Sequence, residues 1–197
     1  LNMSGQFQKK RLNDAKDGLD SHKSSQVLPL TLGFDRRDDW LGGGVVYGSV
    51  GYAYGQLNLD EMLGATDAET ARTAGRFAKW NLDMVRKQTL PDGLESNVRL
   101  AGQWTGQNLD SSEKFSLGGP NGVRAYPAGE GLGDRGWLLQ AELRAQWEQF
   151  SPYAFADLGS AKANVNVWDS SANNKRHLAG AGMGVKTSQG NFNLDAS

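Results

Sequence analysis

From Trp137 to Trp147 the odd positions are all apolar, running Trp137, Leu139, Ala141, Leu143, Ala145 and Trp147, while Gln140, Glu142, Arg144 and Gln146 stand between them. This period of two constrains the chain more than any other feature. A strand sends successive side chains to opposite faces, whereas a helical period of 3.6 would mix the two sets. The run is 11 residues long with a tryptophan at each end. Those are the proportions of a barrel strand that crosses a bilayer, about 9 to 11 residues with aromatic girdles at the two interfaces. The alternation recurs in Leu28, Leu30, Leu32 and Phe34, and again in Ala179, Ala181, Met183 and Val185, where Gly180, Gly182 and Gly184 take the other face. Phe192, Leu194 and Ala196 continue it.

Strands are predicted over residues 1–12, 26–36, 45–60, 76–90, 95–108, 137–147, 150–160, 177–187 and 191–197, nine in all. The connectors 13–25, 61–75, 109–136 and 161–176 are long and polar, and they alternate with short ones such as 91–94, 148–149 and 188–190. A short helix is expected within 60–75, around Met62, Leu63, Ala65 and Ala71. Long connectors at one end and short ones at the other are the habit of outer-membrane barrels, whose turns are short on the periplasmic side and long outside. A soluble antiparallel barrel or sandwich explains the alternation equally well, but predicts neither the sided loops nor the paired tryptophans. The reading is therefore all-β, an antiparallel transmembrane β-barrel, with Trp137 and Trp147 as membrane-interface aromatics and lipid as one partner.

Composition narrows the function. Glycine is enriched, with 26 in 197 residues, about 13% against a usual level near 7%. With 21 basic and 22 acidic residues the net charge is -1, so no global positive field draws nucleic acid. The absence of cysteine removes disulfides and thiolate chemistry, and His22 and His177 lie too far apart in sequence to suggest a metal centre. No run of about 18 apolar residues offers a transmembrane helix. The start at Leu1 without a methionine suggests a piece of a longer chain, and the low mean hydropathy of -0.56 points away from one large conventional core. Residues 131–136 fit G-x-G-x-x-G, but an alternating strand follows where a dinucleotide site needs a helix, so this stretch is expected to be a flexible loop. Residues 180–187 lack the glycine that should precede Lys186, and no nucleophile elbow occurs. Neither enzyme activity nor a cofactor nor a bound metal is expected.

The longest connector, 109–136, contains Phe115-Ser116-Leu117-Gly118-Gly119-Pro120-Asn121-Gly122-Val123-Arg124-Ala125-Tyr126-Pro127. It resembles the Gly-Gly-x-x-x-Val-Arg-Gly-Tyr signature on an external loop of the two-partner secretion transporters, the TpsB or haemolysin secretion/activation family. A second family signature, F-x-D-x-G, matches Phe155-Ala156-Asp157-Leu158-Gly159 on the second strand after that loop. Glu142, on the intervening strand, is similar to a family carboxylate that also faces the loop arginine. The resemblance covers essentially the whole chain, residues 1–197, as a partial C-terminal barrel of about nine among sixteen strands. It implies a bacterial outer-membrane pore that exports a partner exoprotein of haemolysin, haemagglutinin or adhesin type, the partner being engaged mainly through periplasmic POTRA domains outside this chain. A barrel-assembly homologue and a passive porin or adhesin barrel are the alternatives.

The residues support a latch without reference to the family. Asp157 shares its parity with Tyr153, Phe155 and Gly159, opposite the apolar Ala154, Ala156 and Leu158, so it points inward, as Glu142 does on its own strand. A loop folded back inside could set the planar fork of Arg124 between both acids, with Arg144 as a competing cation. The alternate glycines Gly180, Gly182 and Gly184 would leave room for the tip. Ala125 departs from the family glycine, and alanine resists a positive φ, so strain or rearrangement is expected there if the family pose needs one.

Overall fold

The alternating segments form one antiparallel sheet. A computed structural model of the chain describes residues 1–16, 19–147, 150–189 and 192–196, with side chains over 1–11, 22–147 and 150–187. The strands are β1 (Asn2–Gly5), β2 (Gln8–Lys16), β3 (Leu19–Asp38), β4 (Gly44–Leu59), β5 (Gly75–Leu90), β6 (Leu94–Thr105), β7 (Arg135–Ala145), β8 (Phe150–Lys162), β9 (Lys175–Gln189) and β10 (Phe192–Ala196). Each pairs with its neighbour in the chain, except that β1 and β2 both pair with β3 as two halves of one interrupted strand. Among the described residues the sheet thus has nine positions and two open edges, at β1/β2 and at β10.

The expected connector over 13–25 is a correction. β2 runs to Lys16 and β3 begins at Leu19, with Asn13 facing His22 and Lys16 facing Leu19. Polar residues that alternate poorly still continue a ladder already in register, because each added pair needs no new loop closure. The other three long connectors lie at one end of the up-and-down sheet, with the end of β2 at Lys16 and the start of β3 at Leu19, and the shorter connections 39–43 and 91–93 lie at the other. Helix α1 (Glu61–Glu69) forms in the β4–β5 connector, where the Asp60 carboxylate accepts from the Leu63 N–H at 2.8 Å and so caps it. β6 ends at Thr105, earlier than expected, and β7 runs from Arg135 only to Ala145, so Trp147 falls beyond the strand, its ring edge-on to Phe150 at 4.9 Å. Trp137 is two residues into β7, near the long-loop end.

The sheet has two unlike faces. On one, Leu30, Tyr52, Trp80 and Trp104 sit side by side across β3 to β6, and Leu100, Leu139, Leu158 and Ala179 across β6 to β9. Of these side chains Trp80 is 53%, Leu30 49%, Trp104 47% and Leu158 47% exposed, while Tyr52, Leu100 and Leu139 are half-buried. A continuous apolar face on this scale requires lipid rather than water against it. The opposite, inner face carries the polar set, and the long β6–β7 connector folds down onto it. There Leu117 and Val123 from the connector pack with Ala101, Leu138, Ala161 and Leu178 from four strands.

This parity makes a direct prediction. In the full-length chain Leu82→Arg, on the outer face, should impair barrel insertion into lipid vesicles by about 2–4 kcal/mol, read as loss of the heat-modifiable folded band. Asn81→Arg, on the inner face, should leave insertion near normal. Equal losses would refute the assigned faces.

Candidate functional site

The β6–β7 connector is anchored at its neck before it reaches the inner face. Phe115 and Gly133 exchange both backbone hydrogen bonds, at 2.7 and 2.9 Å. Beside them Asp134, fully buried, accepts from the Leu109 N–H at 3.0 Å and the Val165 N–H at 2.8 Å and pairs with Lys114 at 3.0 Å. The stretch 131–136 is therefore not the flexible loop its glycines suggest. Asn108 donates to the carbonyls of Ala71 at 2.7 Å and Asn166 at 2.8 Å, tying the β4–β5, β6–β7 and β8–β9 connectors into one roof. Glu113, also buried, pairs with Lys10 at 3.1 Å on β2 and Lys79 at 3.0 Å on β5.

Below the neck the tip closes on itself. The Val123 N–H donates to the Leu117 carbonyl at 2.8 Å and the Gly119 N–H to the Tyr126 carbonyl at 2.9 Å, with Gly119 at φ +101°. Val123 and Leu117 are fully buried and Tyr126 packs against the same cluster. This fold of the tip aims Arg124 at the strands.

Arg124 meets Asp157 through three donors. Nε lies 2.9 Å from Oδ2, Nη2 lies 2.9 Å from Oδ1, and the Arg124 backbone N–H reaches Oδ2 at 3.0 Å. Nη1 donates to Glu142 Oε2 at 2.8 Å, while Arg144 takes the other oxygen of Glu142 at 2.7 Å. Arg144 thus shares Glu142 and does not compete for Asp157. The face of the guanidinium lies over the Phe155 ring, 3.7 Å from its centroid. Hydrogen bonds to Asp157 raise the pKa of Arg124 above its ordinary value despite partial burial, with Glu142 adding to the effect. The two acids are not directly opposite. Gln140 faces Asp157 and Glu142 faces Phe155, so the carboxylates form a diagonal pair with room for a guanidinium between them.

The three fixed residues of the strand motif each touch the loop. Phe155 supports the guanidinium face and Asp157 takes its fork, while a Cβ on Gly159 would stand 2.4 Å from Leu117 Cδ1. The inner-face spacing of two explains the motif's alternate pattern. Across the sheet, a Cβ on Gly180 would lie 3.0 Å from the Ala125 Cβ, so the tip rests on bare backbone there. Ala125 is not among the residues with positive φ, and the strain expected of it is absent because the tip turns at glycines. Asp134, Glu113, Asn108 and Leu117 escaped the reading from sequence. Phe115, Leu117 and Val123, apolar residues in a polar connector, were the available signal for a buried tip.

A fold of this kind, with an apolar outer face and an inner face latched to a long connector, defines a section of an outer-membrane β-barrel wall with an infolded loop. The haemolysin secretion/activation protein ShlB/FhaC/HecB family matches residues 1–187, and the chain belongs to that family of bacterial outer-membrane proteins. The heme/hemopexin transporter protein HuxB of Haemophilus influenzae is 26% identical over 200 residues, covering 97% of this chain and 35% of that protein; the protein of strain 86-028NP is 27% identical over the same length. The chain therefore spans about a third of the length of these relatives. Among solved structures, CdiB from Escherichia coli shares the fold at 16% identity and a TM-score of 0.50, over 99% of this chain and 46% of that one. CdiB from Acinetobacter baumannii gives 0.47 at 18% identity, over 98% and 42%.

The contact at Gly159 can be tested on its own. Gly159→Val should expel Leu117 and expose the tip, raising protease cleavage within 118–126 in the folded full-length barrel. Ala156→Val, on the outer face of the same strand, should leave the tip protected.

Proposed function

We propose that this chain is a partial C-terminal wall, about nine among sixteen strands, of a non-enzymatic outer-membrane pore that moves a partner exoprotein to the cell surface. The β6–β7 connector, an external loop by this reading, is the element that closes the pore. The observation that carries the proposal is the inward loop arginine held by two strand carboxylates. A passive pore needs no loop pinned across its inner face by an ion pair whose carboxylate, Asp157, is fully buried. Family membership supports export, and the relative HuxB is named as a transporter. The emerging exoprotein would drive its own movement by folding outside, since neither a nucleotide nor an ion site is required by this reading. The partner is a secreted polypeptide of haemolysin, haemagglutinin or adhesin type, engaged first by periplasmic domains beyond this chain. Trp137 and Trp147, near opposite ends of β7, suit the outer and inner membrane interfaces.

Removing one member of a shielded ion pair leaves its partner uncompensated, at a cost of about 3–5 kcal/mol. Arg124→Ala should therefore cut secretion of the partner exoprotein strongly while outer-membrane levels of the transporter stay near wild type. The exchange Arg124→Asp with Asp157→Arg should recover part of the loss. Wild-type secretion by the Arg124→Ala transporter would end the proposal.

A further inference from the structure

A second set of contacts holds the same tip, and none of the strand residues that make it belongs to either motif. Arg99 on β6 donates from Nη1 to the Asn121 carbonyl at 2.9 Å and to Gln140 Oε1 at 3.1 Å. Gln140 on β7 donates from Nε2 to the Gly122 carbonyl at 2.9 Å. Asp83 on β5 takes the remaining side of the guanidinium, with Nε 3.1 Å from both its oxygens and Nη2 also bonded to it, so that Nη1 is left for the loop. The register puts Arg99, Gln140, Asp157 and Gly180 at one level across β6, β7, β8 and β9. The tip crosses that level in order, with Asn121 on Arg99, Gly122 on Gln140, Arg124 on Asp157 and Ala125 against Gly180.

We infer that Asp83, Arg99 and Gln140 are positioning residues that form a second latch, acting separately from Arg124 and fixing where the tip lies along the β6–β7 wall. The inference rests on the reading above that the seated loop is the closed state. Both loop bonds of this latch go to main-chain carbonyls, so they hold residues 121 and 122 by their backbone. They set register, while the Arg124 pair sets depth. Water reaches this latch more than it reaches Asp157, since the Arg99 side chain is 28% and that of Asp83 44% exposed against 0% for Asp157. It is accordingly the weaker of the two.

Disulfide trapping in the full-length transporter tests this, because the native chain has no cysteine in this region. An A125C/G180C pair would bring Cβ atoms that stand 3.0 Å apart to the usual separation of about 3.5–4.5 Å with a small shift. Its oxidation rate then reports the seated tip. Adding Arg99→Ala should slow oxidation about tenfold, and Gln140→Ala about threefold, the order expected for losing hydrogen bonds at a charged and a neutral donor. Arg99→Ala with Arg124→Ala should be slower than either alone. Rates within about twofold of the parent for both Arg99→Ala and Gln140→Ala would overturn the latch. A double variant no slower than Arg124→Ala alone would overturn its independence. If Arg99→Ala yields no heat-modifiable barrel, Asp83→Asn, which keeps Arg99 but loosens its fork, should also slow oxidation, and an unchanged rate counts against the proposal. In planar bilayers the Arg99→Ala transporter without added cysteines should spend more time open, and a wild-type open fraction counts equally against it. Both assays run without exoprotein, so they separate this latch from the export reading. Normal secretion with slowed trapping would sink the export role of the loop and leave the latch standing.

Discussion

A carboxylate sealed from water on the face of a strand must be supplied with donors, and at Asp157 the three hydrogen bonds that satisfy it all come from Arg124. An acid buried without its cation would be costly enough to disturb the strand. The wall therefore depends on the loop as much as the loop depends on the wall. Delivering Arg124 to that point requires the closed tip, and the tip in turn requires Leu117 in the space above Gly159 and Val123 buried beside Gly180. Gly159 on β8 is the counterpart of Leu117 on the loop, and Gly136 on β7 of Phe115.

The two faces of the sheet divide the work. The outer face is apolar and makes no demands on the loop, so lipid contact and loop contact are satisfied by residues of opposite parity on the same strands. The inner face supplies charge in pairs, with Glu142 shared between Arg124 and Arg144 and Glu113 between Lys10 and Lys79. The connector is held differently at its two ends. Its neck is built into a roof of three connectors by Asp134 and Asn108, while its tip is attached through side chains that can let go one at a time.

Much of the fold was legible because strand parity survives in the sequence wherever one face must be apolar. Trp137 to Ala145 and Leu28 to Phe34 could be read directly for that reason. The stretch 13–25 could not, since both its faces are polar and nothing in the alternation separates a ladder beyond the bilayer from a loop. Within the site, Arg124, Asp157 and Glu142 were legible from two motifs and parity, and the structure brings them together. Arg99 and Gln140 were not, because they bind main-chain carbonyls, which leave no complementary residue type for a sequence to reveal. The roof residues Asp134 and Asn108 were hidden for a similar reason, most of their bonds running to backbone N–H and C=O groups, with Lys114 as the ion-pair partner of Asp134.

The row Arg99, Gln140, Asp157 and Gly180 lies straight across four strands, and a single stretch of five residues, 121–125, is fastened along it. Such a crosspiece is a staple. It spans the hydrogen-bonded ladders at right angles and resists the sliding of one strand past the next, the shear that together with strand number fixes the bore of any barrel. Sliding by one step would turn every side chain of the slid strand to the opposite face and carry the row out of line with the tip. Seating of the tip and the register of these four strands therefore support each other.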